Sequence, residues 1–535
     1  MPPIGGRGKA MRITWLLEVA DQLWGGVKVA LENANWQHRQ GHRVTVVSRS
    51  GPPAWMQLAC DFRRVQDFRS EHLPDADVLV ATYWTTVSWA RSAAPTKGAP
   101  VHFCQGYEGD GAENEALRDR IESAYRLSGV QRVTVSPHLT RLFQQRFGIA
   151  ASQVPYTIDH AVHFPGPERQ PGTPLRVGLV GPWQVAWKGL ATGYAACQLA
   201  HQAGQQLVLV RATNTAPDPA ELQQPFPIEW HRQLPPSAMG DFYRSLDLLI
   251  ATSTGAEEGF FLPAVEAMAC GVPTILTDVP CFRDHQALAG NEHYAMFVPP
   301  NDPAALAEAI VVGGAIQDVR TTLRREGLRL AAHYRPETHG QALLQVFEQA
   351  AATRRGHEPH ALRLVDGARP AATAATPPGV SPLATIGAQL RRLANDLDQR
   401  GEAELAARAL LAAHDLSPHD RELALTAALA QHTAGDPATA LRLYDALAAA
   451  GADDAVLHQG RGEALHALGR MHDAAQAFRA ALATGPRTAD AYNRLGVVLF
   501  QAGDLAGARD SFERALDVEP GHDDAAANLK ALPAA

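Results

Sequence analysis

From about residue 387 onward the chain repeats itself every 34 residues, and this period narrows what it can fold into more than any other feature. Ala406, Ala440, Ala474 and Ala508 fall in one column, and Leu410, Tyr444, Phe478 and Phe512 in a second. Pro418, Pro486 and Pro520 form a third column, with Ala452 where a proline would complete it. Small residues where two helices cross, a large apolar residue one turn later and a closing proline describe a helical hairpin that cannot bury its apolar face alone. Stacked copies bury that face between neighbours, so the segment is expected to form a solenoid. Four copies fit, at 387–420, 421–454, 455–488 and 489–522, with 523–532 as a capping helix.

The first 350 residues follow a different rule. Short apolar runs at 12–17, 44–47, 78–81, 101–103 and 133–135 alternate with helical stretches such as 27–39 and 114–127. The pattern restarts at 175–181 and continues through 207–210, 248–251, 274–276 and 295–298. Such alternation predicts parallel sheets with helices on both faces. The expected organisation is a domain at 1–165, a second of the same kind at 166–352, a Pro/Ala-rich linker at 353–381 and an all-α repeat domain at 382–535. Ligands of doubly wound sheets bind at the carboxyl ends of the strands, which places a site in the cleft between the first two domains.

Composition excludes some classes of partner. The net charge is −8, and residues 381–535 carry −7 of it, with 14 Lys+Arg against 21 Asp+Glu. An acidic C-terminal third argues against nucleic acid or anionic lipid as its partner. No apolar run reaches the length of a membrane span. Residues 1–10 lack a signal-like apolar stretch and are expected to be a dispensable extension. Five scattered cysteines match no metal spacing and read as reduced thiols of a cytoplasmic protein. Peripheral contact with the inner face of the plasma membrane stays open, with Arg132, Arg141 and Arg146 beside apolar residues in 130–147.

Chemistry concentrates in Glu258-Gly-Phe-Phe-Leu-Pro-Ala-Val-Glu266. Pro263 suits the first turn of a helix, where its missing N–H would have no partner. The loop N–H groups and the positive helix end favour phosphate. Glu266, inside that helix, can accept hydrogen bonds from a sugar diol. A diphosphate beside a diol is what a nucleotide sugar presents.

Several further segments, in order, resemble family 4 glycosyltransferases. These are Trp24-Gly25-Gly26-Val27, Gly41-His42-Arg43-Val44, Pro155-Tyr156-Thr157-Ile158-Asp159 with Phe164-Pro165, Lys188-Gly189, Glu258 to Pro273, and Pro299–Ile310. The resemblance implies a GT-B fold of two tandem Rossmann-like α/β domains and transfer with retention of anomeric configuration. It implies that Glu266 holds the donor ribose and that Glu258 faces the transferred sugar. The backbone of Phe260, Phe261 and Leu262 would cradle the pyrophosphate, with Gly259 also in the donor site, Lys188 would neutralise it, and Gly25 and Gly26 would let the first domain approach it. Lys188 and Glu258 are thus the expected catalytic pair. No cofactor or metal is expected beyond the nucleotide-sugar co-substrate. The C-terminal third resembles the tetratricopeptide-repeat family, which implies a protein or peptide partner.

The chain departs from the glycosyltransferase pattern in three places. Pro182-Trp183 follows Gly181 where the family has an arginine, for which Arg211 or Arg283 are candidate replacements. Gln105 stands where the family has a histidine, so Gln105, Glu108 and His102 are the candidate acceptor-side or catalytic residues of the first domain. Phe261 replaces a glycine and is expected to narrow the donor pocket. His102 and His138 also read as packing or surface histidines, and Trp183 and Trp187 as stacking or packing residues. The acceptor could be a cell-surface glycan, a lipid-linked chain or a protein presented by the repeats. A catalytically degenerate scaffold is the alternative reading. Glu266→Ala and Lys188→Ala are expected to fold normally and lose donor binding.

Overall fold

A computed structural model describes residues 10–168, 174–255, 257–291, 293–354, 382–399, 403–417 and 419–533. The expected linker therefore lies outside the described residues except at its first two positions, and so does the N-terminal extension except at Ala10. The chain divides into two compact units, Met1–Thr376 and Pro377–Ala535.

The first unit contains two parallel sheets. One holds β1 (Arg12–Leu17), β2 (Arg43–Ser48), β3 (Asp61–Arg64), β4 (Val78–Ala81), β5 (Ala99–Cys104), β6 (Gln131–Thr134) and β7 (Ser152–Gln153), in the order β3-β2-β1-β4-β5-β6-β7. The other holds β8 (Leu175–Val180), β9 (Leu207–Thr213), β10 (Ile228–Arg232), β11 (Leu248–Ala251), β12 (Thr274–Thr277) and β13 (Met296–Val298), in the order β10-β9-β8-β11-β12-β13. The central strands are continuous apolar runs because helices cover both faces; β4, β11 and β12 are buried at every residue. The strand order reverses beside β1 and β4 in one lobe and beside β8 and β11 in the other. Those two switch points are where such sheets leave a crevice for a ligand.

Three strands were not expected from the sequence. β3 (Asp-Phe-Arg-Arg), β7 (Ser-Gln) and β10 (Ile-Glu-Trp-His-Arg) have no buried residue, and each is the outermost strand on its side of a sheet. An edge strand has one neighbour and faces water, so charge there is tolerated and discourages pairing with other chains.

The chain crosses between the lobes twice. The helix Pro336–Arg354 follows the second sheet yet packs on the first lobe: Phe347 lies edge-on to Trp15 at 6.1 Å, and the Trp36 ring stands 2.8 Å from where Gly340 would carry a Cβ. Where the crossings pass each other, the Ile158 N–H donates to the Tyr334 carbonyl at 2.8 Å and His339 Nδ1 lies 3.1 Å from the Tyr156 carbonyl.

The second unit is a run of helices: Pro382–Gln399, Ala403–Leu416, Arg421–Thr433, Pro437–Ala449, Ala455–Ala467, Met471–Thr484, Ala489–Gln501, Leu505–Val518 and Asp523–Ala531. The repeat columns are its core: all four column alanines and Leu410, Tyr444, Phe478 and Phe512 are buried. Phe512 packs against Gly496, whose absent Cβ would fall 2.5 Å from the ring. Gly496→Val should therefore cost about 1–3 kcal/mol through overpacking. Circular-dichroism melting should show the helical unit losing stability, whereas valine at the open Gly503 turn would test backbone strain instead.

Candidate functional site: a cleft between two lobes

Lys188 and Glu258 are 70 residues apart, and local geometry brings them together. Lys188 ends a single 3-10 turn, Ala186–Lys188, after β8. Gly189 then takes φ +61°, and a Cβ there would lie 2.1 Å from the Thr252 carbonyl, so only glycine lets this turn sit against the loop after β11. The Thr252 hydroxyl donates to the Lys188 carbonyl at 2.7 Å and the Thr254 N–H donates to the Trp187 carbonyl at 2.8 Å. Lys188 Nζ then reaches Glu258 Oε2 at 2.5 Å, and that oxygen also accepts from the Ser253 hydroxyl at 2.9 Å. Lys188 Nζ stands 4.8 Å over the face of Phe261. The Phe261 ring is itself turned into the core against Phe282 at 5.8 Å. It therefore supports the lysine from below instead of narrowing the pocket. Phe260 is likewise buried, against Tyr156 at 4.9 Å, and Leu262 begins the short helix Leu262–Ala269. With these side chains packed inward, the segment's main chain is what the loop has to offer a ligand.

Glu266 is also buried, yet the other lobe reaches it. Lys28, in the first turn of the helix Gly25–Arg39, donates to Glu266 Oε1 at 2.9 Å. The Tyr243 hydroxyl donates to Oε2 at 2.8 Å, and His163 Nε2 lies 3.7 Å from Oε1. Burial opposes ionisation of Glu266, but Lys28, His163 and these hydrogen bonds outweigh it and hold its pKa down to about 2. Burial likewise opposes the Lys28 ammonium, and Glu266 and Glu32 reverse that and raise its pKa. Gly25 and Gly26 open this helix, where a Cβ on Gly26 would meet the Gln105 amide nitrogen at 3.1 Å. Lys28 did not stand out in the sequence. Its only signal is a position one turn beyond the Gly-Gly pair.

Gln105 occupies the seam between the lobes. Its side-chain oxygen accepts from the Tyr156 hydroxyl at 2.9 Å, which turns the amide nitrogen toward Gly26. Its carbonyl abuts Gly259, where a Cβ would lie only 2.0 Å away. Glu108, three residues on, accepts a hydrogen bond from the Tyr125 hydroxyl. Burial pushes the Glu108 pKa up to about 7. A carboxyl whose folded pKa is raised binds its proton more tightly in the native state, so stability should fall as pH rises from about 4.5 to 7. Glu108→Gln should remove up to about 3 kcal/mol of that slope, read by thermal melts between pH 5 and 8.

His102 is not part of this site. It is fully buried beside Tyr125 at 5.0 Å and Phe143 at 6.1 Å, and burial together with the Arg132 charge holds its pKa well below the usual range. Alternation along β5 turns it toward the helices covering the sheet. The candidate substitute cations are also engaged elsewhere. Arg211 is buried, pairs with Glu221 at 2.9 Å and donates to the Gly181 carbonyl at 2.6 Å, so it braces the β8 turn from beneath. Arg283 pairs with Asp278 at 2.7 Å and lies over Phe297. His138 lies 3.6 Å from Asp284, and Trp183 packs edge-on to Tyr194. Trp187 is 36% exposed at the rim, near Gly111 of the other lobe.

Residues 174–312 match the family described as glycosyl transferases group 1, and residues 460–532 match the tetratricopeptide repeat. A segment of 112 residues is 34% identical to the lipopolysaccharide core biosynthesis mannosyltransferase LpsB of Rhizobium meliloti (strain 1021); it covers 20% of this chain and 30% of that protein's length. Among solved structures, the sucrose-phosphate synthase of Thermosynechococcus elongatus superposes with a TM-score of 0.54 at 17% identity, over 64% of this chain and 100% of that one. Anabaena HepE in complex with UDP-glucose superposes with a TM-score of 0.52 at 16% identity, over 63% and 99%. Among the described residues no helix is long and apolar enough to cross a membrane. The chain thus carries a group 1 glycosyl transferase domain on a GT-B framework, followed by a tetratricopeptide-repeat domain.

Proposed function

We propose that this protein is a retaining glycosyltransferase that moves a hexose or deoxyhexose from a nucleotide sugar to a glycan, lipid-linked or protein acceptor. The observation that carries this reading is the meeting of two lysine–glutamate pairs, Lys188–Glu258 and Lys28–Glu266, at the switch points of two doubly wound sheets. Glu266 is ionised at neutral pH, and each carboxylate oxygen has lone pairs beyond those used by Lys28 and Tyr243, so it can accept from the ribose diol. Lys188 and the main chain of residues 259–262 face the diphosphate. Lys28 provides a second cation in place of the arginine that Pro182 displaces. As the bond from the anomeric carbon to the phosphate oxygen breaks, negative charge builds on the leaving phosphate, which takes the acceptor's proton. Fixed donors aimed at that oxygen are worth about 2.7–4 kcal/mol each in comparable sites. Glu258 and Gln105 hold the transferred sugar.

Five buried, unpaired thiols support a reducing compartment such as the cytoplasm. The repeat domain recruits the acceptor or an assembly partner, as an extended solenoid surface allows. Its removal, by deleting 381–535, should leave donor hydrolysis intact and reduce transfer to the natural acceptor; unchanged transfer would end the recruitment idea.

The reading is tested by thermal shift of the full chain with UDP, GDP, dTDP and their sugars. At a hundred times Kd a ligand adds about 2.7 kcal/mol to the unit it binds. A shift with one nucleotide that Glu266→Gln removes is the expected result. No shift with any of them would favour a scaffold that has lost donor binding.

A further inference from the structure

We infer that the cavity at the carboxyl ends of β1, β2 and β3 is a subsite for an anionic group, a phosphate or a carboxylate, carried by the acceptor saccharide. The inference rests on the glycosyltransferase reading and adds the charge of the acceptor to it.

The cavity has a volume of about 820 Å³ and is lined by Glu18, Arg49, Ser50, Arg64 and Gln66, with Val19 and Val65. It is a shallow hollow open to solvent, which suits one end of a longer saccharide more than an enclosed small molecule. Every lining residue is the last of β3 or lies within two residues of the end of β1, β2 or β3. The cavity therefore opens on the same edge of the sheet as Gly25, Gly26 and Gln105, next to the β1/β4 switch point.

Its charge is unbalanced. Two guanidinium groups face one carboxylate, and that carboxylate is already shared. Glu18 accepts from the Thr85 hydroxyl through one oxygen and from Arg49 Nη1 at 3.3 Å through the other. The Arg49 side chain is 57% exposed, so this ion pair is loosely held and an incoming anion can compete for it. Charge on an edge strand often serves only solubility, and Arg63 fits that account, since it donates to the His72 carbonyl. Alternation turns Arg64 the other way, into the cavity. Two arginines converging on one hollow cost mutual repulsion that solubility does not require, whereas a planar fork suits an oxyanion.

The cavity lies on the sheet edge that also carries the reaction centre. Tyr83, 41% exposed, follows β4, the strand between β1, which ends just before Glu18, and β5, which ends just before the loop of Gln105 and Glu108. Glu108 belongs to the loop that carries Gln105. A saccharide anchored by its anion at Arg49 and Arg64 would thus extend past Tyr83 toward the sugar held by Gln105 and Glu258.

Calorimetric titration of the full chain, with the stabilising nucleotide present, tests this with glucose 6-phosphate, glucuronate and glucose. Saturable binding of at least one charged sugar is expected, tenfold or more tighter than glucose. The two charged probes tell phosphate from carboxylate. Arg49→Gln/Arg64→Gln should weaken that binding at least tenfold and leave nucleotide affinity unchanged, while Arg49→Lys/Arg64→Lys should retain most of it. Equal affinity for glucose, undiminished binding in the glutamine variant, or no saturable binding of either charged sugar while the nucleotide binds would overturn the inference and leave the donor site standing. Failure of the nucleotide itself would instead count against the glycosyltransferase reading.

Discussion

Lys28→Met should destabilise the Met1–Thr376 unit by about 3–5 kcal/mol and weaken nucleotide binding at least tenfold. The Lys28 and Glu266 side chains are 12% and 5% exposed. Removing one partner of a buried ion pair leaves the other charged in a medium that solvates it poorly, which costs about that much. The depressed pKa of Glu266 gives an independent measure. A fall from 4.5 to about 2 corresponds to roughly 3 kcal/mol favouring the folded state. For a carboxyl with a lowered folded pKa, this stability is present above pH 4.5 and is lost as pH falls from there toward 2. Without Lys28 the carboxyl protonates at higher pH, so acid unfolding should begin earlier in the variant. Because the pair is buried, the expectation that Glu266→Ala folds normally no longer holds: alanine would strand Lys28 with only Glu32, at 3.3 Å, to offset it. Glu266→Gln is the milder probe. Wild type should prefer UDP over its 2′-deoxy analogue by about 1.5–3 kcal/mol through charged hydrogen bonds, and the glutamine variant should lose most of that preference.

Gly259→Ala should reduce transfer a hundredfold or more. A Cβ there would lie 2.0 Å from the Gln105 oxygen, 2.8 Å from its carbon and 3.1 Å from the Gly106 Cα. These are backbone atoms and cannot rotate aside as a side chain would, so the two lobes must part. Displacement of reacting groups by about 1 Å is enough to cost a hundredfold in rate. Gly25→Ala gives the contrast in stability, because nothing in the chain lies within 4 Å of its Cβ position and the lobes need not part. Both variants should be assayed for transfer and melting temperature. Gly259→Ala should lower the melting temperature as the lobes part and Gly25→Ala should leave it unchanged; an unaltered melting temperature in Gly259→Ala would count against the close approach.

The difference between those two glycines also marks how far the sequence could be read. Gly25 and Gly259 sit in motifs of equal clarity, yet only the folded chain shows that Gln105 presses on one of them. The central strands, the Glu258–Glu266 loop, Lys188 and the repeat columns were legible because each is defined by neighbours close in sequence. The edge strands β3, β7 and β10 were not, because one exposed side removes the apolar pattern that identifies a strand. Lys28 and Glu266 are 238 residues apart, and no local pattern announces such a pair. Arg211 misled for the same reason: a cation next to a turn expected to bind phosphate looks like a ligand until Glu221 is seen beside it.

The paired crossings at Ile158 and Tyr334 limit how the two lobes can move. Two bodies tethered at one point could swivel freely. Tethered twice, with the tethers hydrogen-bonded to each other, they have fewer ways to move, and rotation about the line through both tethers is the motion these bonds oppose least. Lys28, Gln105 and Gly26 ride on one body, and Glu258, Gly259 and Glu266 on the other. All of these contacts lie across the seam, so such a rotation would open or close them as a set.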